Sequence, residues 1–175
     1  MYLMTPEEER RASADALYNH AQHIWCEVFR SSTIPNHFEN SWAAPVVARL
    51  YKQAAEKGHV KAQYEFAEIL QSGIGIKKSE EEAVKWFTKA AMSGDRKSQA
   101  RLGAAFEKGA GVKASFAEAY AWYALAASNT NGNSYWSDYY LKPLLSLKKD
   151  LLPLTLANGE ARFRELQRAS ARHSD

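Results

Sequence analysis

At 175 residues, 46% hydrophobic and 25% charged, the chain is long enough to bury a sizeable core and too apolar for wholesale disorder. A formal net charge of +3 is too mild to argue for a phosphate-binding groove. Seven Lys/Arg against four Asp/Glu over residues 141–175 fit a solvated helix face, so no nucleic-acid partner is expected. A single cysteine, Cys26, excludes an internal disulfide framework, and no apolar run approaches the roughly 20 residues of a membrane-spanning helix.

Acidic residues in MYLMTPEEERR stand where a secretory signal needs a basic start and an apolar stretch. The expected compartment is the cytoplasm, or the periplasm or exterior if a leader has been removed. Thr5-Pro6-Glu7-Glu8 starts a helix: a capping hydroxyl, proline in the first turn, acids at the positive end of the dipole. That helix is expected to run to about Arg30 with Leu17, Ala21, Ile24, Trp25 and Val28 inward, as an N-terminal cap over residues 1–41. His20, His23 and Glu27 fall on one flank beside Cys26, a spacing that can share a metal. No second segment offers a partner ligand, so a solvated flank is the simpler reading and no metal is expected. Pro35 and its polar neighbours make residues 31–41 a loop, and Ser41 is the expected cap of a helix over residues 42–57, with Pro45 in its first turn.

Residues 58–93 and 94–129 then repeat one pattern at a period of 36. Gly58 recurs as Gly94, Gly73 as Gly109, Gly75 as Gly111, Ala83 as Ala119, Trp86 as Trp122 and Ala90-Ala91 as Ala126-Ala127. Each unit holds two helical stripes around a glycine turn. The first stripe is Ala62, Phe66, Ala67 and Leu70, repeated as Ser98, Leu102, Gly103 and Phe106. Gly73 suits a left-handed C-terminal cap, and Ser79 with Glu82, repeated as Ser115 with Glu118, reads as a capping box opening the second helix. The second stripe is Ala83, Trp86, Phe87, Ala90 and Ala91, copied by Ala119, Trp122, Tyr123, Ala126 and Ala127. At helical spacing inside a repeat, those tryptophans read as inter-helix core rather than as an aromatic ligand site.

Ala-x-x-x-Leu-Gly, Gly-x-Gly-Val and Ala-x-x-Trp-Tyr-x-x-Ala-Ala resemble the Sel-one-like repeat (SLR) family, relatives of the tetratricopeptide repeats. Leu50-Tyr51, Ala54-Ala55 and Gly58 look like the second half of a preceding unit over residues 42–57. Departures are mild: Ala67 stands where the family prefers glycine, Leu70 and Phe106 where it prefers tyrosine. The resemblance implies an all-α fold: a single domain forming a short right-handed α-α superhelix (solenoid) of helix-turn-helix repeats with capping helices at both ends.

After Ser128 a polar loop leads to Tyr135, Trp136, Tyr139 and Tyr140, with Trp136, Tyr140 and Leu144 copying a first-helix face that Pro143 should kink or end. Thr155 is the expected cap of a final helix through Arg172, with Phe163, Leu166 and Ala169 inward, so that residues 130–175 form a degenerate repeat and C-terminal cap. The sequence lacks GxxxxGK[ST], GxGxxG after a strand, HExxH, CxxC and G-x-S-x-G, so neither enzyme activity nor a catalytic or cofactor-binding residue is expected.

If the units stack as the resemblance implies, their first helices line a concave surface. Opposite the core stripes lie Tyr64, Glu68 and Gln71, then Ala100, Ala104 and Glu107 with Arg101 alongside; Tyr135 and Tyr139 extend the surface. Tyr64, Glu68, Gln71, Arg101, Glu107, Tyr135 and Tyr139 are therefore the expected partner-binding set for an extended peptide or a partner helix. The resemblance implies a protein-interaction adaptor or scaffold, expected as a monomer. Two other readings stay open: a dedicated inhibitor or immunity-type protein of one cognate enzyme or toxin, and an enzyme or metal-dependent protein using the His20, His23 and Glu27 flank.

Overall fold

The computed structural model describes residues 3–31, 42–128 and 134–172, with the side chains of 29–31 and 134–139 outside that description. Nine helices and no strand occupy the described residues: α1 Pro6–Arg11, α2 Ala14–Ser31, α3 Ala43–Glu56, α4 Val60–Ser72, α5 Glu80–Met92, α6 Arg96–Lys108, α7 Phe116–Ser128, α8 Ser134–Asp150 and α9 Pro153–Ala171. Packing sorts them into two units, residues 1–83 and 84–175, whose boundary falls inside α5.

In the first unit α2 packs on α3 and α3 on α4. Leu17, Ala21 and Ile24 are fully buried as their spacing predicts, while Trp25 and Val28 are only half-buried. The stripe Ala62, Phe66, Ala67 and Leu70 is buried throughout. Ser41, the expected cap of α3, lies outside the described residues; Trp42 holds the N-cap position without a side-chain bond.

The N-terminal helix is not continuous. Thr5 and Glu8 form the full capping box, but the helix stops after Arg11, and Ala12 is extended at φ −65°, ψ 146°. Two contacts explain the break. Lys57 Nζ donates to the carbonyls of Arg10 and Ala12 at the C-terminal end of α1, and the Ser13 hydroxyl accepts from the Ala16 N–H (3.1 Å), starting α2 afresh.

Both glycine turns form as read. Gly73 and Gly109 take left-handed caps at φ +79° and +71°, each donating its N–H to the carbonyl four residues back. Ser79 and Ser115 accept from the N–H of Glu82 and Glu118, both at 3.3 Å. The capping box, however, is not reciprocal. The N–H that the carboxylate would reach is taken: Ser79 donates to Leu70 O and Ser115 to Phe106 O, both at 2.9 Å. The Glu118 carboxylate instead accepts from Arg162 Nε at 2.9 Å.

Two further pairs recur at 36 residues. His59 and Asp95 cap α4 and α6, accepting from Ala62 N and Ser98 N at 3.0 and 2.8 Å. Gln63 and Gln99, both buried, donate to the Ala55 and Ala91 carbonyls at 3.3 and 3.0 Å, each a second bond to a carbonyl at the end of the preceding helix that already accepts from the Gly58 or Gly94 N–H.

In the second unit α7 is covered by α6, α8 and α9, and Ala119 through Ala126 are all buried. Its sequence carries one charged residue, Glu118, and a helix apolar all round is a buried helix. The α8 helix runs through Pro143 to Asp150 rather than ending there. Tyr140 and Leu147, before and after the proline, are both buried, and burial on both sides offsets the roughly 3 kcal/mol that an interior proline costs. The last helix starts at Pro153 rather than with a Thr155 cap, because proline suits the first position and Leu152 takes the N-cap without a side-chain bond. It lies against α7, with Gly159 beside Tyr120 and Leu166 buried; Phe163 and Ala169 are half-buried.

Candidate partner-binding surface

On α4 the buried stripe leaves Tyr64, Glu68 and Gln71 on the remaining face. All three are half-buried rather than fully exposed. On α6, Arg101 is exposed, whereas Ala100 and Ala104 are half-buried and Ala104 packs against the core around Ala119, Tyr120 and Tyr123. Ala104 therefore contributes to the core of its own unit, although the sequence set it opposite the core stripe. Glu107 is half-buried and accepts a 2.8 Å hydrogen bond from the Tyr123 hydroxyl. Burial, followed by that bond, pushes the Tyr123 phenol up from its ordinary value. Tyr135 and Tyr139 lie on α8, and their side chains are outside the described residues.

On the histidine flank of α2, one ring meets the backbone of the N-terminal segment. His20 Nε2 accepts from Met4 N–H at 3.4 Å, while His23 and Cys26 are exposed and Glu27 is half-buried. Among the described residues no three His, Cys, Asp or Glu side chains converge as metal ligands. Among the same residues no helix is long and apolar enough to cross a membrane.

His59 carries more consequence. Its ring stacks on Tyr18 at a centroid distance of 4.2 Å, its Nδ1 caps α4, and its Nε2 faces Asp15 Oδ1 at 3.5 Å. Burial holds its pKa below the ordinary value of 6.5 despite the Asp15 carboxylate. A histidine whose folded pKa is lowered stabilises the fold fully above about 6.5 and loses that contribution as pH falls below it. Protonation also turns the Nδ1 acceptor into a donor facing the Ala62 N–H. His59→Asn, which keeps a capping oxygen, is expected to flatten the decline in stability between pH 7 and pH 5 by about 1 kcal/mol, the worth of one cap. Urea denaturation at the two pH values checks this; an unchanged slope refutes it.

The family model for the Sel1 repeat matches residues 48–59, 60–95 and 96–131, the same 36-residue period offset by two residues from the units read in the sequence. A Sel1 repeat protein from Oxalobacter formigenes is similar in structure, at 30% identity and TM-score 0.57 over 70% of this chain and 86% of that one. The chain belongs to the Sel1 repeat family. An SLR-fold protective antigen present in uropathogenic Escherichia coli strains superposes over 93% of the chain at TM-score 0.75 and 25% identity. The chain spans 32% of that antigen's length. No curated protein matches the sequence. Sel1 repeat proteins are generally protein-interaction modules, and the fold is typically non-catalytic.

Proposed function

We propose that this Sel1 repeat chain is an adaptor or scaffold that takes a protein or peptide partner on the faces of its first helices. In the first unit the contact residues are Tyr64, Glu68 and Gln71 on α4. In the second they are Arg101 and Glu107 on α6, with Tyr135 and Tyr139 on α8. The observation that carries the reading is the division of α4: its apolar stripe is fully committed to the core, while an aromatic and two long polar side chains remain on the other face. Aromatic and arginine anchors supply most of the energy of such contacts.

Affinity capture with the intact chain tests it, comparing wild type with the triple variant Tyr64→Ala, Glu68→Lys, Arg101→Glu after circular dichroism confirms folding. Binding of the captured partner is expected to weaken about thirtyfold or more, as for the loss of one hot spot. Unchanged affinity for every captured partner overturns the proposed faces. A single stoichiometric partner at nanomolar Kd would make the protein a dedicated inhibitor, and several weaker partners an adaptor.

A further inference from the structure

We infer that the α3 face carrying Arg49, Gln53 and Lys57 is a docking surface for an acidic helical turn of a partner protein, and that α1 occupies it as a built-in stand-in. The three residues stand at i, i+4 and i+8, one stripe along α3. Glu9 of α1 meets two of them: its Oε1 accepts from an Arg49 guanidinium nitrogen at 2.8 Å and its Oε2 from Gln53 Nε2 at 3.2 Å. Lys57 meets the other end of the same turn, donating to the Arg10 and Ala12 carbonyls. The stripe thus reads two features together, a carboxylate and the open carbonyls at a helix C-terminus.

The way α1 is held suits a replaceable occupant. A solenoid cap ordinarily closes the array with an apolar stripe. Here the single buried residue of the six-residue helix is an acid, Glu9, 4% exposed, while Leu3 is 42% exposed and Met4 half-buried. Attachment is therefore polar, and a competing carboxylate can replace it group for group. Removing α1 does not unravel α2, which has its own start at Ser13 beyond the extended Ala12. The fit is also incomplete. Gln53 Oε1 is buried and has no hydrogen-bond partner among the described residues. A turn that presents a donor beside its carboxylate would satisfy this acceptor where α1 does not.

The probe is a synthetic peptide of residues 3–12, LMTPEEERRA, titrated into the isotope-labelled full-length chain and followed by amide and side-chain NMR shifts. The wild type is compared with Glu9→Lys, which expels the strap by repulsion from Arg49, and with Glu9→Gln, which removes the charge at nearly constant volume. Cleavage at the exposed Arg10 and Arg11 by an arginine-specific protease, which does not cut at the side chain introduced by Glu9→Lys, reports strap release independently. In Glu9→Lys the peptide is expected to bind at least tenfold tighter than in wild type, with shifts at Arg49, Gln53 and Lys57, and cleavage is expected to accelerate. A tenfold gain corresponds to an open fraction of about one-tenth in the wild type. Glu9→Gln should lie between the two, and adding Arg49→Glu to Glu9→Lys should abolish the shifts. Accelerated cleavage without peptide shifts at the stripe overturns the docking surface, as do shifts that survive Arg49→Glu. A wild-type dimer formed by exchange of α1 between copies would assign the stripe to self-association and overturn the partner reading.

Discussion

Gly75→Ala is expected to destabilise the protein by about 3–4 kcal/mol, lowering Tm by roughly 6–16 °C for a chain of this size. Two costs combine. The backbone at Gly75 has φ +71°, a left-handed conformation that costs an L side chain about 1–2 kcal/mol. A methyl group there would also sit 2.4 Å from the Ala44 carbonyl carbon, 2.6 Å from Pro45 N and 2.7 Å from Ala44 O. These atoms are backbone in the first turn of α3, where Ala44 is fully buried and proline fixes the next φ, so they cannot rotate aside as a side chain would. Gly58→Ala separates the two costs, since Gly58 has φ +90° but nothing within 4 Å of an added methyl. It is expected to cost about 1–2 kcal/mol and no more. Equal losses in the two variants, measured by urea denaturation, would show that the α4–α5 turn does not press on the start of α3.

The 36-residue register was legible because apolar spacing, turn glycines and capping serines all repeat in it, and each acts within a few residues of chain. His59/Asp95 and Gln63/Gln99 repeat at the same period, but a polar recurrence carries no hydrophobic signal. Their role shows only once a helix end is placed beside them. The Glu9–Arg49 contact joins residues 40 apart and was not legible at all, nor was the Lys57 contact with the Arg10 and Ala12 carbonyls that, with Ser13, ends the first helix where its composition argued for continuation. The α7 burial was partly legible: the repeat spacing marks Trp122 and Tyr123 as core, while Tyr120 and Ala124 become core through α8 and α9, which pack on the same helix. In the candidate surface, the sequence separated Tyr64, Glu68 and Gln71 from the core stripe. It gave no sign that Glu107 holds a hydroxyl 16 residues away.

That last contact makes Gly103 a position where two opposing effects can be weighed. It lies inside α6, where glycine costs about 1 kcal/mol relative to alanine, so substitution would help an isolated helix. A Cβ on Gly103 would meet Cδ1, Cε1 and Cγ of Tyr123 at 2.6–2.8 Å. The ring cannot swing away cheaply: it is 4% exposed, its base is fixed to α7, and its hydroxyl is tied to Glu107 at 2.8 Å. Overpacking of this kind costs about 1–3 kcal/mol, so the clash outweighs the helix gain. Gly103→Ala is expected to be destabilising by about 1 kcal/mol, and Gly103→Leu, with three further carbons to place, by about 3 kcal/mol. Cutting the tether with Tyr123→Phe costs about 1 kcal/mol alone but frees the ring to move, so Gly103→Ala in that background should cost less than in the wild type. A double-mutant cycle in urea measures the difference. Strict additivity would mean that the ring yields without help from its hydroxyl, leaving the Glu107 bond no part in holding α6 against α7.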